Sequence, residues 1–266
     1  MPMPKNETVI TSAGTMDYIR FGTGARPLVM IPGVGDGLKT VRGMALPFAL
    51  LYRSLTKDFT VYVFSRSREL APGTTTRDMA ADLSEAMETL GLRGAALVGV
   101  SQGGMIAQWL AVDHPDMVKK LVLTVTLCRP NKTAGFVIGR WLDMARRGDY
   151  AAIMLDTAER SYSEKRLRRE RLAYRLLGGV GKPKSFERFM IQAESCLTHD
   201  AYDALERVKC PTLVIGGEDD RIVTGNASRE IAGRIPGSTL VMYEGLGHGL
   251  YEEAPDFLAR VADFCR

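Results

Sequence analysis

The stretch Gly99-Val100-Ser101-Gln102-Gly103-Gly104 decides how the chain is read. It follows the apolar run Ala95-Ala96-Leu97-Val98 and precedes the helix-like Met105-Ile106-Ala107-Gln108-Trp109-Leu110-Ala111. The order is strand, tight turn, helix. A serine on such a turn is held above the sheet edge in a strained backbone conformation, and small residues two before and two after it let strand and helix approach closely. The backbone N–H groups at the helix start are aimed at the space above the serine, where an oxyanion can form. Ser101 therefore reads as a nucleophile and the N–H of Gln102 as an oxyanion donor. The pattern alone recurs by chance, and a serine N-cap at an ordinary turn has the same appearance.

The flanking chain repeats the same unit. Met16 to Arg20 and Leu28 to Ile31 read as two short strands with Gly22-Thr23-Gly24 as a hairpin turn between them. The second strand runs into Pro32-Gly33-Val34-Gly35-Asp36-Gly37, whose glycines permit a path that turns N–H groups inward; that of Val34 is the candidate second oxyanion donor. No G-K-[ST] is present, so the loop is not a phosphate loop of the Walker type. Val41 to Lys57 has helical spacing, with a kink or late start at Gly43 and Pro47, and Thr60 to Phe64 is an unbroken apolar strand followed by a loop from Ser65-Arg66-Ser67-Arg68. A helix opens at Thr76 and ends at Gly91, and Lys120 to Val125 is another buried strand. Apolar strands alternating with helices imply βαβ units and a parallel sheet.

From Arg129 to Arg207 the pattern changes to helix-like stretches without a strand, holding 16 Lys and Arg against 11 Asp and Glu. The positive surplus of the chain sits here, chiefly in Lys165-Arg166-Leu167-Arg168-Arg169-Glu170-Arg171, which reads as a solvated helix face. Strands resume at Thr212 to Gly216 and Thr239 to Tyr243, and a one-faced helix, Pro255 to Phe264, closes the chain.

Composition bounds the function classes. With 266 residues, 45% hydrophobic and 25% charged, the chain suits one large α/β domain carrying an insertion. A net charge of +4 without basic runs interleaved with aromatics argues against nucleic acid as a partner. No segment reaches membrane-spanning length, and the N-terminus has no secretory pattern. Cys128, Cys196, Cys210 and Cys265 are scattered, without metal-ligand spacing, which fits reduced thiols in a cytoplasmic protein.

A serine nucleophile needs a base, and histidine is the usual one because its unperturbed pKa is about 6.5. There are three candidates. His114 stands at a helix end before Pro115 and reads as a dipole partner or surface cap, and His199 as a residue that could line a cavity. His248, in Gly245-Leu246-Gly247-His248-Gly249, follows the last strand at the sheet edge where Ser101 emerges. After Leu213-Val214-Ile215, at the same edge, come Gly216-Gly217-Glu218-Asp219-Asp220, a source for the carboxylate that fixes the histidine tautomer.

With serine, acid and histidine in that order, the sequence resembles the α/β-hydrolase superfamily over nearly its whole length. The family's acid loop places the aspartate three residues after a glycine, with an apolar pair after one spacer. Gly217, Asp220 and Ile222-Val223 match that register, so the resemblance selects Asp220 over Asp219. His248 matches the family's C-terminal Gly-His and Ser101 its nucleophile elbow. The oxyanion loop departs from the pattern, with Ile31-Pro32-Gly33-Val34 where the family often begins His-Gly. The resemblance implies an α/β fold, a mostly parallel doubly wound sheet of about eight strands. It implies a core of residues 1–128 and 208–266, and an all-helical cap of residues 129–207 inserted between strands 6 and 7.

The implied activity is hydrolysis of a small carboxylic ester, lactone or thioester through an acyl-enzyme, with no metal or organic cofactor and a small-molecule acyl substrate as the partner. Two other readings share these residues: acyl transfer to an alcohol, thiol or peroxide, and a catalytically weak small-molecule receptor. Neither a membrane partner nor nucleic acid is expected, and self-association is left open.

Overall fold

The computed structural model describes residues 3–266, apart from the side chains of residues 175–177. The chain runs β1 (Lys5–Thr11), β2 (Gly14–Gly22), β3 (Arg26–Ile31), α1 (Ala45–Leu51), β4 (Phe59–Ser67), α2 (Thr76–Thr89), β5 (Ala95–Val100), α3 (Gln102–Asp113) and β6 (Val118–Thr124). It continues through α4 (Lys132–Arg146), α5 (Tyr150–Ser161), α6 (Glu164–Leu177), α7 (Glu187–Leu197), β7 (Thr212–Gly217), α8 (Gly225–Arg234), β8 (Thr239–Tyr243), α9 (Leu250–Glu253) and α10 (Phe257–Cys265). The eight strands form one sheet in the order β1-β2-β4-β3-β5-β6-β7-β8. β1 pairs antiparallel with β2 and β2 with β4, and every other pair is parallel.

The unbroken apolar strands are covered on both faces, which removes the need for a polar side. Leu97, Leu121 and Val214 pack on one face with Leu83 and Met87 of α2, Ile106 and Leu110 of α3, and Ile231 of α8. Val98, Val122 and Leu213 pack on the other with Ala45 of α1 and Phe257 and Val261 of α10. The helix α2 is started by a capping box in which the Thr75 hydroxyl accepts from the Asp78 N–H while the Asp78 carboxylate accepts from the Thr75 N–H.

Two expectations about strands are corrected. Gly22-Thr23-Gly24 is not a hairpin turn, because β4 lies between β2 and β3 and pairs with both. The hairpin is β1–β2, turning at Ser12-Ala13, and β1 itself was not expected. Ser65, Arg66 and Ser67 belong to β4 and not to a loop, since Ser67 still pairs with Met16 across an irregularity in β2. The late helix start is observed: α1 begins at Ala45, after Gly43 with φ of +83°.

The topology positions the site. From β3 the chain goes to β4 on one side and later to β5 on the other, so the loops leaving β3 and β5 part at a switch point, the usual place for a ligand crevice. Between β6 and β7 lie α4 to α7, with no strand among the described residues. Their apolar residues Val137, Trp141, Ile153 and Phe189 cluster with Met105, at the start of α3, and with Ile222 and Val223, just after β7. These helices therefore sit over the carboxyl ends of the strands. In α6 Leu167 is buried, Arg166 pairs with Glu170 and Glu252, and Arg171 pairs with Glu159, while Lys165, Arg168 and Arg169 are exposed.

Candidate active site

Ser101 has φ of 54° and ψ of −120°, a conformation that a residue with a side chain enters only where its surroundings enforce it. They do so here through the backbone. The Ser101 N–H donates to Thr124 O at 2.9 Å, and its carbonyl accepts from Gly104 N–H at 2.8 Å and from the Thr126 hydroxyl at 2.7 Å. Ser101 occupies the N-cap position of α3, yet its side chain makes no capping bond, which separates it from an ordinary N-cap. A Cβ on Gly103 would lie 2.0 Å from Ile31 O, so only glycine lets the start of α3 press against the end of β3. That contact brings the loop from Pro32 beside Ser101. Val34 opens a short 3-10 turn there, and among the described residues neither its N–H nor that of Gln102 donates to a protein acceptor.

Asp220 and His248 are brought into direct contact, with His248 Nδ1 2.8 Å from Asp220 Oδ2. Both are buried, at 6% and 7% exposure. The other Asp220 oxygen accepts from the N–H groups of Ile222 at 2.8 Å and Val223 at 2.9 Å. Burial raises the Asp220 carboxyl, but the facing His248 and these hydrogen bonds outweigh it and hold the group below the usual carboxylate range. The apolar pair after Asp220 thus supplies backbone donors to the acid. On the other side of His248, the Gly249 N–H donates to Ser161 O of α5 at 2.8 Å, and a Cβ on Gly249 would lie 2.5 Å from the Tyr162 ring. The histidine loop is clamped between the sheet edge and the end of α5.

Ser101 and His248 line one cavity of 340 Å³, together with Val34, Phe48, Trp141, Ser161, Ile222 and Tyr251. The Ser101 hydroxyl makes no hydrogen bond to His248 in this conformation, and such bonds commonly tighten only when substrate is present. A second, larger cleft of 920 Å³ shares Pro32, Gly33, Phe48, Val100 and Tyr251 with the first and is bordered by α6.

The other histidines lie elsewhere. His114 is the C-cap of α3. His199 does not line the cavity: its Nδ1 is 2.8 Å from Thr76 Oγ1, its Nε2 is 3.3 Å from Gln108 Oε1, and burial lowers its pKa to about 3.

A polar cluster that no motif announces joins the loop after β3 to β4, α3 and α7. Arg66, its side chain 3% exposed, donates to Pro32 O and, at 2.9 Å, to Gln102 Oε1. Its pKa is lowered to about 10 by burial, with Asp36 opposing the shift. Asp36 Oδ2 meets Arg188 Nη2 of α7 at 2.5 Å and accepts from the Arg66 N–H at 3.2 Å. The Gln102 amide donates to Gln192 O at 2.6 Å and to the Ser195 hydroxyl at 3.1 Å, both on α7. The one sequence signal was Asp36, the only charged residue in the glycine-rich loop.

A family model described as alpha/beta hydrolase fold matches residues 26–255. A Caulobacter sp. (strain K31) protein provisionally assigned as the carbamate hydrolase RutD is 32% identical over 74% of this chain and 75% of its own. A thermophilic esterase from Thermogutta terrifontis superposes with a TM-score of 0.77 at 25% identity, covering 97% of this chain and 96% of its own. The enol-lactonase from Burkholderia xenovorans LB400 superposes with a TM-score of 0.82 at 22% identity, covering 97% and 99% of the two chains, and shares the fold.

Proposed function

Because the chain belongs to the alpha/beta hydrolase family, we propose that it cleaves a small carboxylic ester, lactone or thioester through an acyl-enzyme on Ser101. His248 is the base, Asp220 the carboxylate that orients it, and the N–H groups of Val34 and Gln102 form the oxyanion hole. One observation carries the reading: the unbonded hydroxyl of Ser101, on its positive-φ turn, shares a cavity with a histidine whose other ring nitrogen is committed to a buried aspartate.

With Nδ1–H donated to Asp220, the His248 Nε2 lone pair is free to take the Ser101 proton. Ser101 Oγ then attacks the carbonyl carbon, and the electron pair of the C=O moves to oxygen, where the two N–H groups receive it. Each such donor is worth about 3 kcal/mol in the transition state. The imidazolium formed is stabilised by Asp220 and passes its proton to the leaving alcohol or thiol as the tetrahedral species collapses. Water, deprotonated by His248, attacks the acyl carbon; the bond from that carbon to Ser101 Oγ breaks, Oγ takes the proton back from His248, and the acid is released. The 340 Å³ cavity suits a small acyl group, and the esterase and lactonase names among similar proteins favour the same bond class. Four free cysteines fit action in the reducing cytoplasm.

Turnover of short p-nitrophenyl esters tests the proposal. The expected result is hydrolysis that Ser101→Ala reduces to background; tight ligand binding without turnover supports the receptor reading instead.

A further inference from the structure

The residues that place the two oxyanion donors are themselves held by one residue, and that residue belongs to β4, outside the loops that carry Ser101, Asp220 and His248. Val34 lies between Pro32 and Asp36 in the loop after β3. Arg66 fastens that loop on both sides of Val34, its guanidinium donating to Pro32 O and its backbone N–H to Asp36 Oδ2 at 3.2 Å. The same Nη2 donates to Gln102 Oε1 at 2.9 Å, and so fixes the side chain of the residue whose N–H is the other donor. Gln102 is 1% exposed and its side-chain amide is engaged by Arg66, Gln192 and Ser195, leaving its backbone N–H to serve the site. A backbone donor placed this way could be held by apolar packing alone; a buried guanidinium is a costly choice for that task and implies that its charge is used.

The charge balance supports this use. Arg66 and Arg188 bring two guanidiniums to one carboxylate, Asp36, so the cluster is positive by one. Arg188 makes the close contact at 2.5 Å, whereas Arg66 Nη1 stands 3.8 Å from Asp36 and has, like Arg66 Nε, no hydrogen-bond partner among the described residues. The Arg66 charge is therefore only partly neutralised, within a region of low dielectric behind the loop where negative charge develops during acyl transfer. The Arg188 side chain also donates to Ser67 O and Arg66 O, so α7 of the overlying helices locks β4 and the loop into one unit.

We propose that Arg66 is a positioning residue of the oxyanion hole: it aligns the N–H groups of Val34 and Gln102 from behind and contributes a buried positive charge toward the oxyanion. The proposal rests on the oxyanion-hole assignment made above. It acts on the transition state and leaves ground-state binding of substrate nearly untouched.

The test compares Arg66→Met, Arg66→Lys and Gln102→Met with the wild type, using p-nitrophenyl acetate for kcat and KM and a short alkylboronic acid as a tetrahedral oxyanion mimic. Removing a whole oxyanion donor costs about 100- to 1,000-fold in kcat, so displacing two by a few tenths of an ångström and losing the charge is expected to cost about 30-fold or more in Arg66→Met. KM should stay within about threefold, and boronate affinity should fall with kcat/KM. Arg66→Lys, which keeps the charge without the two-pronged bond, should fall between. Gln102→Met keeps its backbone N–H and loses the Arg66 anchor together with the amide's bonds to Gln192 O and the Ser195 hydroxyl; it should lose about tenfold in kcat, and the Arg66→Met/Gln102→Met pair should cost less than the product of the two single effects. Unchanged kcat in folded Arg66→Met, or a KM effect with boronate affinity preserved, overturns the proposal. If Arg66→Met does not fold, unchanged kcat in Gln102→Met overturns it. A wild-type protein whose Ser101 fails to react with a fluorophosphonate overturns the serine-hydrolase reading as well, whereas full labelling with unaltered Arg66→Met kinetics overturns the role of Arg66 alone.

Discussion

His199 is the histidine that the fold keeps neutral, and its replacement by glutamine separates it from His248 in two independent measurements. In the native protein His199 is 2% exposed, held by Thr76 and Gln108, and burial lowers its pKa to about 3. In the unfolded chain the pKa returns to about 6.5. Between these values the unfolded state binds one more proton at this residue than the native state, so stability is complete above about pH 6.5 and declines as pH falls toward 3. The slope approaches 1.4 kcal/mol per pH unit, which makes the loss at pH 4.5 about 3 kcal/mol. His199→Gln removes the titration and costs about 1–3 kcal/mol at neutral pH through weakened buried hydrogen bonds. Urea unfolding from pH 7.5 to 4.5 should therefore show the variant weaker at pH 7.5, level with the wild type near pH 5 and stronger below. Ester hydrolysis at pH 7.5 should stay within about threefold of wild type, since His199 lies outside the cavity. Parallel stability profiles, or loss of activity in folded His199→Gln, would refute the reasoning.

Two further outcomes follow from the geometry. Asp220→Asn should preserve the fold but lower kcat by about 10,000-fold at neutral pH, because an amide in place of the carboxylate no longer holds His248 in the productive tautomer; thermal unfolding within a few degrees of wild type together with near-normal kcat would contradict it. Gly103→Ala brings a methyl 2.0 Å from Ile31 O, a backbone atom that can move only if β3 and the Pro32 loop move with it, so both stability and kcat should fall. Chemical unfolding and esterase kinetics on the same preparation check it, and a variant of wild-type stability and activity would show that the close packing of the elbow is not needed.

The parts of this molecule that were legible in the sequence are those whose chemistry is local. The turn at Ser101 is spelled out by its own glycines, and Gly247-His248-Gly249 by the need for small residues against α5. The choice of Asp220 over its neighbour Asp219 came from family register, and the structure supplies the physical ground: Asp220 is the one that accepts from Ile222 and Val223 and meets His248. Pairing between distant strands was not legible. Gly22-Thr23-Gly24 has the composition of a hairpin turn, but β4, nearly forty residues further on, takes the place between the two strands it would have joined. β1 escaped because Lys5-Asn6-Glu7-Thr8 is polar, as an edge strand with exposed residues can afford to be. The Arg66 cluster was hidden for the same reason. Asp36, Arg66, Gln102 and Arg188 are separated by tens of residues, and each taken alone looks like a surface polar residue.

Treating the folded protein with a fluorophosphonate and locating the adduct by mass spectrometry tests most directly whether Ser101 is the nucleophile. A nucleophilic Ser101 gives a single adduct at that residue, absent in Ser101→Ala and slowed in His248→Ala. A folded protein that stays unlabelled at Ser101, or a Ser101→Ala variant that still hydrolyses esters, would contradict it.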